Sequence, residues 1–351
     1  MTGVGGGSAH YRVHGMVLAI DRPLPAGWGQ PLADADSCLA STQRLHIRYA
    51  GHCAPHRLPS SAQPGWVPHR LSDAVLDPHP ANVRLWWRED AGSRAWLVQF
   101  SRTDPAEVLI DPARRTVDIY WSHPAAPDDP DTLPDDMASL LCPIIGLFAR
   151  LNGGVALHCS AIAVDGRAVL FAGPSGAGKS TLLASFAAAQ FAPIADDQII
   201  PERSGDRWSV YPGFCRPRLH DTAINHFALD DRAEARVFSN ATKRYVSLPT
   251  VGASGDGIEP LPIAGLYLLA PRAPVDGADI GVERIGQRDG FGELWEHLYP
   301  AFLTIDQAER ARTFTLLADF ARHTPTFRVH RPDDLARLDE VRHAILATVA
   351  G

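Results

Sequence analysis

Between residues 80 and 122 apolar and polar positions alternate in four short runs, VRLWWRED, RAWLVQF, EVLI and TVDIYWS, joined by polar connections. Successive side chains on a strand point to opposite faces, so this alternation predicts half-buried strands. Only AGS separates the first two runs, and EVLIDPARRTVDIYW contains a polar turn, which predicts an antiparallel meander. RLHIRYAG adds a strand upstream. The adjacent Trp86 and Trp87 are read as packing aromatics of such a strand rather than as a ligand shelf.

The alternation stops at HPAAPDDPDTLPDD, where Pro and Asp concentrate and no period survives. A domain boundary is expected there, between a strand-rich N-terminal domain over 1–135 and a second domain over 136–351. Met137, Leu140, Leu141, Ile144, Ile145 and Phe148 then fall at helical spacing and predict a buried helix from about Asp136. Pro143, Gly146 and Arg150 interrupt that window, which is too short to span a bilayer.

Beyond the glycine pair Gly153 and Gly154, VALHCSAIAV reads as a strand, Asp165-Gly166 as a tight turn, and RAVLFA as a second strand entering a glycine-rich loop. STLLASFAAAQ is a helix by composition, and the short strand API delivers Asp196 and Asp197. RWSVYPG, KRYVSLP, IAGLYLLAP and TFRVHRP predict further strands. LWEHLYPAFLTIDQAERARTFTLLADFARH and DDLARLDEVRHAILATV predict helices, the last opening at Pro332 and Asp333. The expected class is α/β, with no internal repeat at solenoid or propeller periods.

Composition narrows the partners. With 351 residues, 45% hydrophobic and 21% charged, the chain can bury two cores. A formal net charge of -7 and no run of basic residues argue against a nucleic-acid or anionic-membrane surface. Small molecules or proteins are the expected partners, and a homo-oligomer is left open. The N-terminus has no long apolar core preceded by positive charge, so a cytoplasmic protein starting near Met1 is expected. Cys38, Cys53, Cys142, Cys159 and Cys215 are scattered without a C-x-x-C pair, which predicts reduced, packed thiols rather than a zinc site or disulfides.

The sharpest signal is GPSGAGKST, which meets the pattern G-x-x-x-x-G-K-S/T at Gly173, Gly178, Lys179 and Ser180. Glycines let backbone N–H groups turn toward phosphate oxygens, and the following helix points its positive end at the same anion. The expected nucleotide contacts are Gly173, Ser175, Gly176, Ala177, Gly178, Lys179, Ser180 and Thr181, with the Ser180 hydroxyl on Mg²⁺. Of 33 basic residues only Lys179 and Lys243 are lysines, and one of them stands where a compact point charge is wanted. The motif alone does not choose among hydrolysis, phosphotransfer and regulatory binding. Asp196 and Asp197 favour chemistry, since one carboxylate can serve the metal and the other an attacking hydroxyl.

The stretch LHCSAIAVDGRAVLFAGPSGAGKSTLLASFAAAQFAPIADDQI resembles the core of the HPr kinase/phosphorylase family. VYPGFCRPRL, KRYVSLP and LYLLAP resemble its branch that phosphorylates lasso peptide precursors. The resemblance implies a phosphate-loop kinase core of the HPr kinase and phosphoenolpyruvate carboxykinase type. It also implies Mg-ATP-dependent phosphorylation of a serine on a peptide or small protein. It places His158 on the active-site histidine, Asp196 on the catalytic base, and Asp197 toward Mg²⁺. Thr181 stands where the family usually has Glu, and the first 135 residues do not match its regulatory domain. Arg216 and Arg218, two apart, and Lys243 with Arg244 are weaker candidates for phosphate or substrate carboxylate. A kinase for a small-molecule hydroxyl and a non-catalytic nucleotide-gated module remain as alternatives.

Overall fold

The computed structural model describes residues 8–25, 28, 32, 44–52, 65–76, 79–90, 92–101, 106–121, 140–236, 242–248, 250–251, 259–274, 279–300 and 306–349. The Pro/Asp-rich segment with its expected boundary, the start of the expected helix at Asp136, and Cys38 and Cys53 lie outside these residues.

The N-terminal part holds β1 (Ala9–Val13), β2 (Met16–Ile20), β3 (Arg44–His52), β4 (Val67–Leu76), β5 (His79–Asp90), β6 (Ser93–Ser101), β7 (Ala106–Asp111) and β8 (Thr116–Trp121). They form one sheet in the order β1-β2-β3-β8-β7-β6-β5-β4. β5 to β8 make the antiparallel meander that the alternation predicts. The pattern of apolar positions does not show that β3 pairs in parallel with both β2 and β8, because parallel pairing joins runs that are distant in sequence. β1 and β2 meet at His14 and Gly15, both at positive φ (51° and 76°), the handedness a tight hairpin turn requires.

One face of this sheet presents Leu45, Ile47, Leu85, Val98, Val108, Ile110, Val117 and Ile119 to a core. Helix α1 (Leu141–Leu151) fills the same core with Leu141, Ile144, Ile145 and Phe148, so this helix packs with the N-terminal sheet. Trp86 is buried and donates its indole N–H to Gln99 at 3.1 Å, while the Arg94 guanidinium stacks on Trp87. Both tryptophans pack, as read.

The rest of the chain runs β9 (Cys159–Val164), β10 (Arg167–Ala172), α2 (Lys179–Ala188), β11 (Pro193–Ala195), β12 (Pro201–Ser204), β13 (Arg207–Val210) and β14 (Arg218–His220). It continues with α3 (Asp221–His226), β15 (Ala233–Arg236), β16 (Lys243–Val246), β17 (Leu261–Leu269), β18 (Gly281–Arg284), α4 (Gln287–Glu296), α5 (Gln307–His323), β19 (Thr326–His330) and α6 (Leu338–Val349). The central sheet is ordered β11-β9-β10-β17; beyond β17, β13 and β12 continue from one end and β19 and β18 from the other. β10 pairs antiparallel with β9 and parallel with β17. The β9–β10 turn is Asp165-Gly166, both at positive φ.

β10 is buried on both faces, which explains its unbroken apolar run. Ala168, Leu170 and Ala172 face a core shared with Leu294, Leu317 and Phe320 of α4 and α5. Val169 and Phe171 face Leu182 and Phe186 of α2 and Val341 and Ile345 of α6. The result is helices on both sides of a mixed sheet. A third, small sheet, β14-β16-β15, packs against α2 through Leu183 and Ala184.

The apolar run 294–323 predicted one helical stretch, but two helices form. Pro300 lacks the N–H a helix needs there, and Asp306 caps α5 by accepting from the Glu309 N–H at 2.8 Å. Arg150 of α1 and Glu309 of α5 form a buried ion pair at 2.9 Å, completed by the Pro300 carbonyl and the Thr313 hydroxyl. Among the described residues no helix is long and apolar enough to cross a membrane.

Candidate active site

β10 ends at Ala172 and the chain turns through Gly173–Gly178 into α2, whose first residue is Lys179. Gly176 and Gly178 sit at positive φ (80° and 95°), where a Cβ would be strained, and Gly178 is the N-cap residue of α2. The N–H groups of the first turn of α2 have no intrahelical acceptors and face the loop. The Lys179 ammonium donates to the Gly173 carbonyl at 2.8 Å. Burial lowers its proton affinity, against the opposing pull of Asp197, Cys159 and Asp196. Ser175 is exposed on the loop, and Ser180 and Thr181 are half-buried in the first turn.

β11 delivers the aspartates beside this turn. Asp196 is buried and accepts from the Ser160 hydroxyl at 2.5 Å and from the Ser180 hydroxyl at 2.9 Å. Its N–H donates to the Phe214 carbonyl at 2.9 Å. Asp197 is in the left-handed region (φ 66°), so the backbone turns and the neighbouring carboxylates meet different partners. Arg218 of β14 donates to Asp197, and His158 Nε2 stands 3.8 Å from its other oxygen.

These surroundings drive the two acids apart. Burial, reinforced by the charge of Asp197, raises Asp196 above the usual carboxylate range, although the Ser160 and Ser180 hydroxyls oppose the shift. Burial alone would raise Asp197 too, but Arg218, His158 and Lys179 together hold it well below that range. Two adjacent carboxylates of unequal basicity are a common way to divide acid–base and charge-holding roles.

His158 lies one residue before β9, with its N–H on the His297 carbonyl at 2.7 Å and its ring 5.6 Å from that of Tyr299. Burial, with Lys179 and His158 adding to it, pushes His297 down to about 4, so its ring is neutral near pH 7. Of the four weaker cationic candidates, the structure brings Arg218 to the aspartates. Arg216 instead pairs with Glu234 and stacks on Tyr245 at 4.2 Å. Arg244 donates to the backbone carbonyls of Glu234 and Ala233. Lys243 is half-buried on β16.

Several neighbours escaped the sequence reading. Ser160 stands two residues after His158, a spacing that puts alternate strand residues on one face and could have flagged it. Arg272 donates to the Gly176 carbonyl at 3.4 Å, and Arg331 to that of Ala177. Both come from far along the chain, with no local signal.

The oxygen donors fit a magnesium ion. A hydroxyl and a carboxylate in contact are the hard ligands Mg²⁺ takes from protein when substrate phosphates and waters complete its shell. Among the described residues no group of three or more His, Cys, Asp or Glu side chains could hold a metal by itself.

No family model matches the sequence, and no curated protein matches it. Nineteen chains of solved structures do match. One is the Hpr(Ser) kinase/phosphatase from Coxiella burnetii, at 10% identity and a TM-score of 0.28, covering 56% of this chain and 99% of that one. By its own sheets and helices the chain is a mixed α/β protein.

Proposed function

We propose that this protein is an Mg-ATP-dependent serine kinase acting on a peptide, and that the peptide is a lasso-type precursor modified near its C-terminus. The observation that carries the kinase reading is the direct contact between the loop and the acidic pair: Ser180 on Asp196, beside Lys179 and Asp197. A binding-only module has no need of a buried carboxylate of raised basicity in that place.

In this reading the loop N–H groups and Lys179 hold the β- and γ-phosphates of ATP. Ser180, with Asp197 on the same side, would hold Mg²⁺, which would supply neutralisation of the charge on the transferring phosphoryl group. Asp196 accepts the proton of the serine hydroxyl as its oxygen bonds to the γ-phosphorus and the bond to the bridging oxygen breaks, leaving ADP. Asp197, tied to Arg218 and near His158, stays anionic on the metal side. The Ser180 contact with Asp196 supports a second reading in which the two aspartates exchange roles.

Access limits the acceptor. A hydroxyl must enter in line with the γ-phosphate, which a flexible peptide terminus does at little cost. The strand-rich N-terminal part is the proposed acceptor holder, and the resemblance of VYPGFCRPRL and KRYVSLP to the lasso kinases supports the choice of peptide class.

Mass spectrometry after incubation with Mg-ATP tests it. One phosphate added to an intact precursor peptide, none to its Ser→Ala form, and none with Lys179→Ala enzyme are expected. Modification of a sugar or amino acid with no peptide modified would replace this reading with a metabolite kinase.

A further inference from the structure

Arg331 follows β19 and lies behind the glycine-rich loop, 3% exposed. Its guanidinium donates to the Ala177 carbonyl inside the loop and to the Ala270 carbonyl at 3.0 Å after β17. Among the described residues no carboxylate stands within ion-pair distance of it. Asp333 acts on it from further away and is itself paired with Arg272, whose other nitrogen reaches the Gly176 carbonyl at 3.4 Å. Burial and Arg272 push Arg331 down to about 10 from its ordinary value, yet it remains charged at neutral pH.

A buried guanidinium met only by carbonyl dipoles is costly unless a negative charge arrives to compensate it. Its place suggests where that charge comes from. A trans peptide is planar, so its carbonyl and the next N–H point in opposite directions. Drawing the Ala177 carbonyl back onto Arg331 therefore turns the Gly178 N–H to the other side of the loop. Gly178 is the residue that opens α2, at positive φ, with room for a Cβ no nearer than 3.7 Å to Arg331.

We infer that Arg331 is the second cation of the triphosphate site, working from behind the loop. It orients the Gly178 N–H and adds its charge to that of Lys179 without touching the nucleotide. Arg331 is thus a positioning residue for polyphosphate, with Arg272 as an exposed and weaker helper and Asp333 as a partial counterweight. This rests on the reading of Gly173–Thr181 as a nucleotide site.

Calorimetric titration of the full chain with Mg-ATP and with AMP tests it. Arg331→Gln keeps a donor for the carbonyl but removes the charge, and should weaken Mg-ATP binding about tenfold or more. AMP, which lacks the β- and γ-phosphates, should lose much less; a merely structural contact would weaken both alike. Arg331→Lys should recover part of the Mg-ATP affinity. Asp333→Asn changes only an exposed side chain, so it reports even if Arg331→Gln fails to fold, and should tighten Mg-ATP binding about twofold. Equal Mg-ATP affinity in the unaltered chain and Arg331→Gln, or no tightening in Asp333→Asn, overturns this inference alone. Failure of the unaltered chain to bind Mg-ATP overturns the nucleotide reading beneath it.

Discussion

The Ser180 hydroxyl donates to Asp196 across 2.9 Å, so the first turn of the loop helix and the end of β11 are joined by a side-chain hydrogen bond. That contact makes the division of labour between the aspartates measurable. Asp196→Asn keeps the shape and removes the base. Near-normal Mg-ATP binding is expected, with phosphotransfer reduced by about two orders of magnitude or more. If titration instead shows that binding collapses while residual transfer stays high, Asp196 serves the metal and Asp197 takes the proton.

The pH profile of transfer carries a signed expectation. Asp196 must be ionised to act as base, and burial with the neighbouring Asp197 charge raises its proton affinity. The rate should therefore fall on acidification with a limb above about pH 4, the ordinary carboxylate value. Asp197→Asn removes the repelling charge and should move that limb to lower pH. A limb that stays in place would show that another group titrates.

Gly213 lies under the N-terminal hairpin: a Cβ there would fall 2.0 Å from Cε1 of His14. The His14 ring is buried and, pushed down to about 3 by burial, is neutral at physiological pH. The neighbouring Phe214 carbonyl takes the Asp196 N–H, so this packing reaches the site. Gly213→Ala should destabilise by about 1–3 kcal/mol through overpacking. Thermal unfolding checks it, and a second change, His14→Ala, should return much of the loss.

Arg150→Met leaves Glu309 buried without its partner and should cost about 3–5 kcal/mol. Replacing both with apolar residues of similar volume should recover most of it. Denaturant melts of the two single variants and the pair decide; a single variant as stable as the parent would show that Glu309 finds another partner or water.

Local chemistry was legible in the sequence. Asp165-Gly166 marked the hairpin, the alternation of residues 80–122 marked the meander, and GPSGAGKST with ADDQI marked the loop and the acids beside it. What escaped depends on pairings between distant segments. The apolar face of α1 reads equally well against either core, and the helical period cannot say which one it joins. Pro300 marks the break in the run 294–323, since it lacks the N–H that a continuous helix needs. Arg216 and Arg218 share a face, yet one meets Glu234 and the other Asp197, because partners are chosen by where β14 lies and not by spacing. Arg331 had no local mark at all.

β10 has one neighbour that directly precedes it in the chain and another, β17, that comes only after most of the following elements. On a ribosome the hairpin and the loop would emerge together, but the strand that closes the far edge of β10 would still be unsynthesised. Loop closure over so long a segment is entropically slow, and an unclosed edge invites wrong pairing. If Gly173–Thr181 is the nucleotide site, a nascent chain halted before β17 should bind no nucleotide. On the proposed function, the phosphate site would be completed late in synthesis, when the rest of the sheet is present to enforce it.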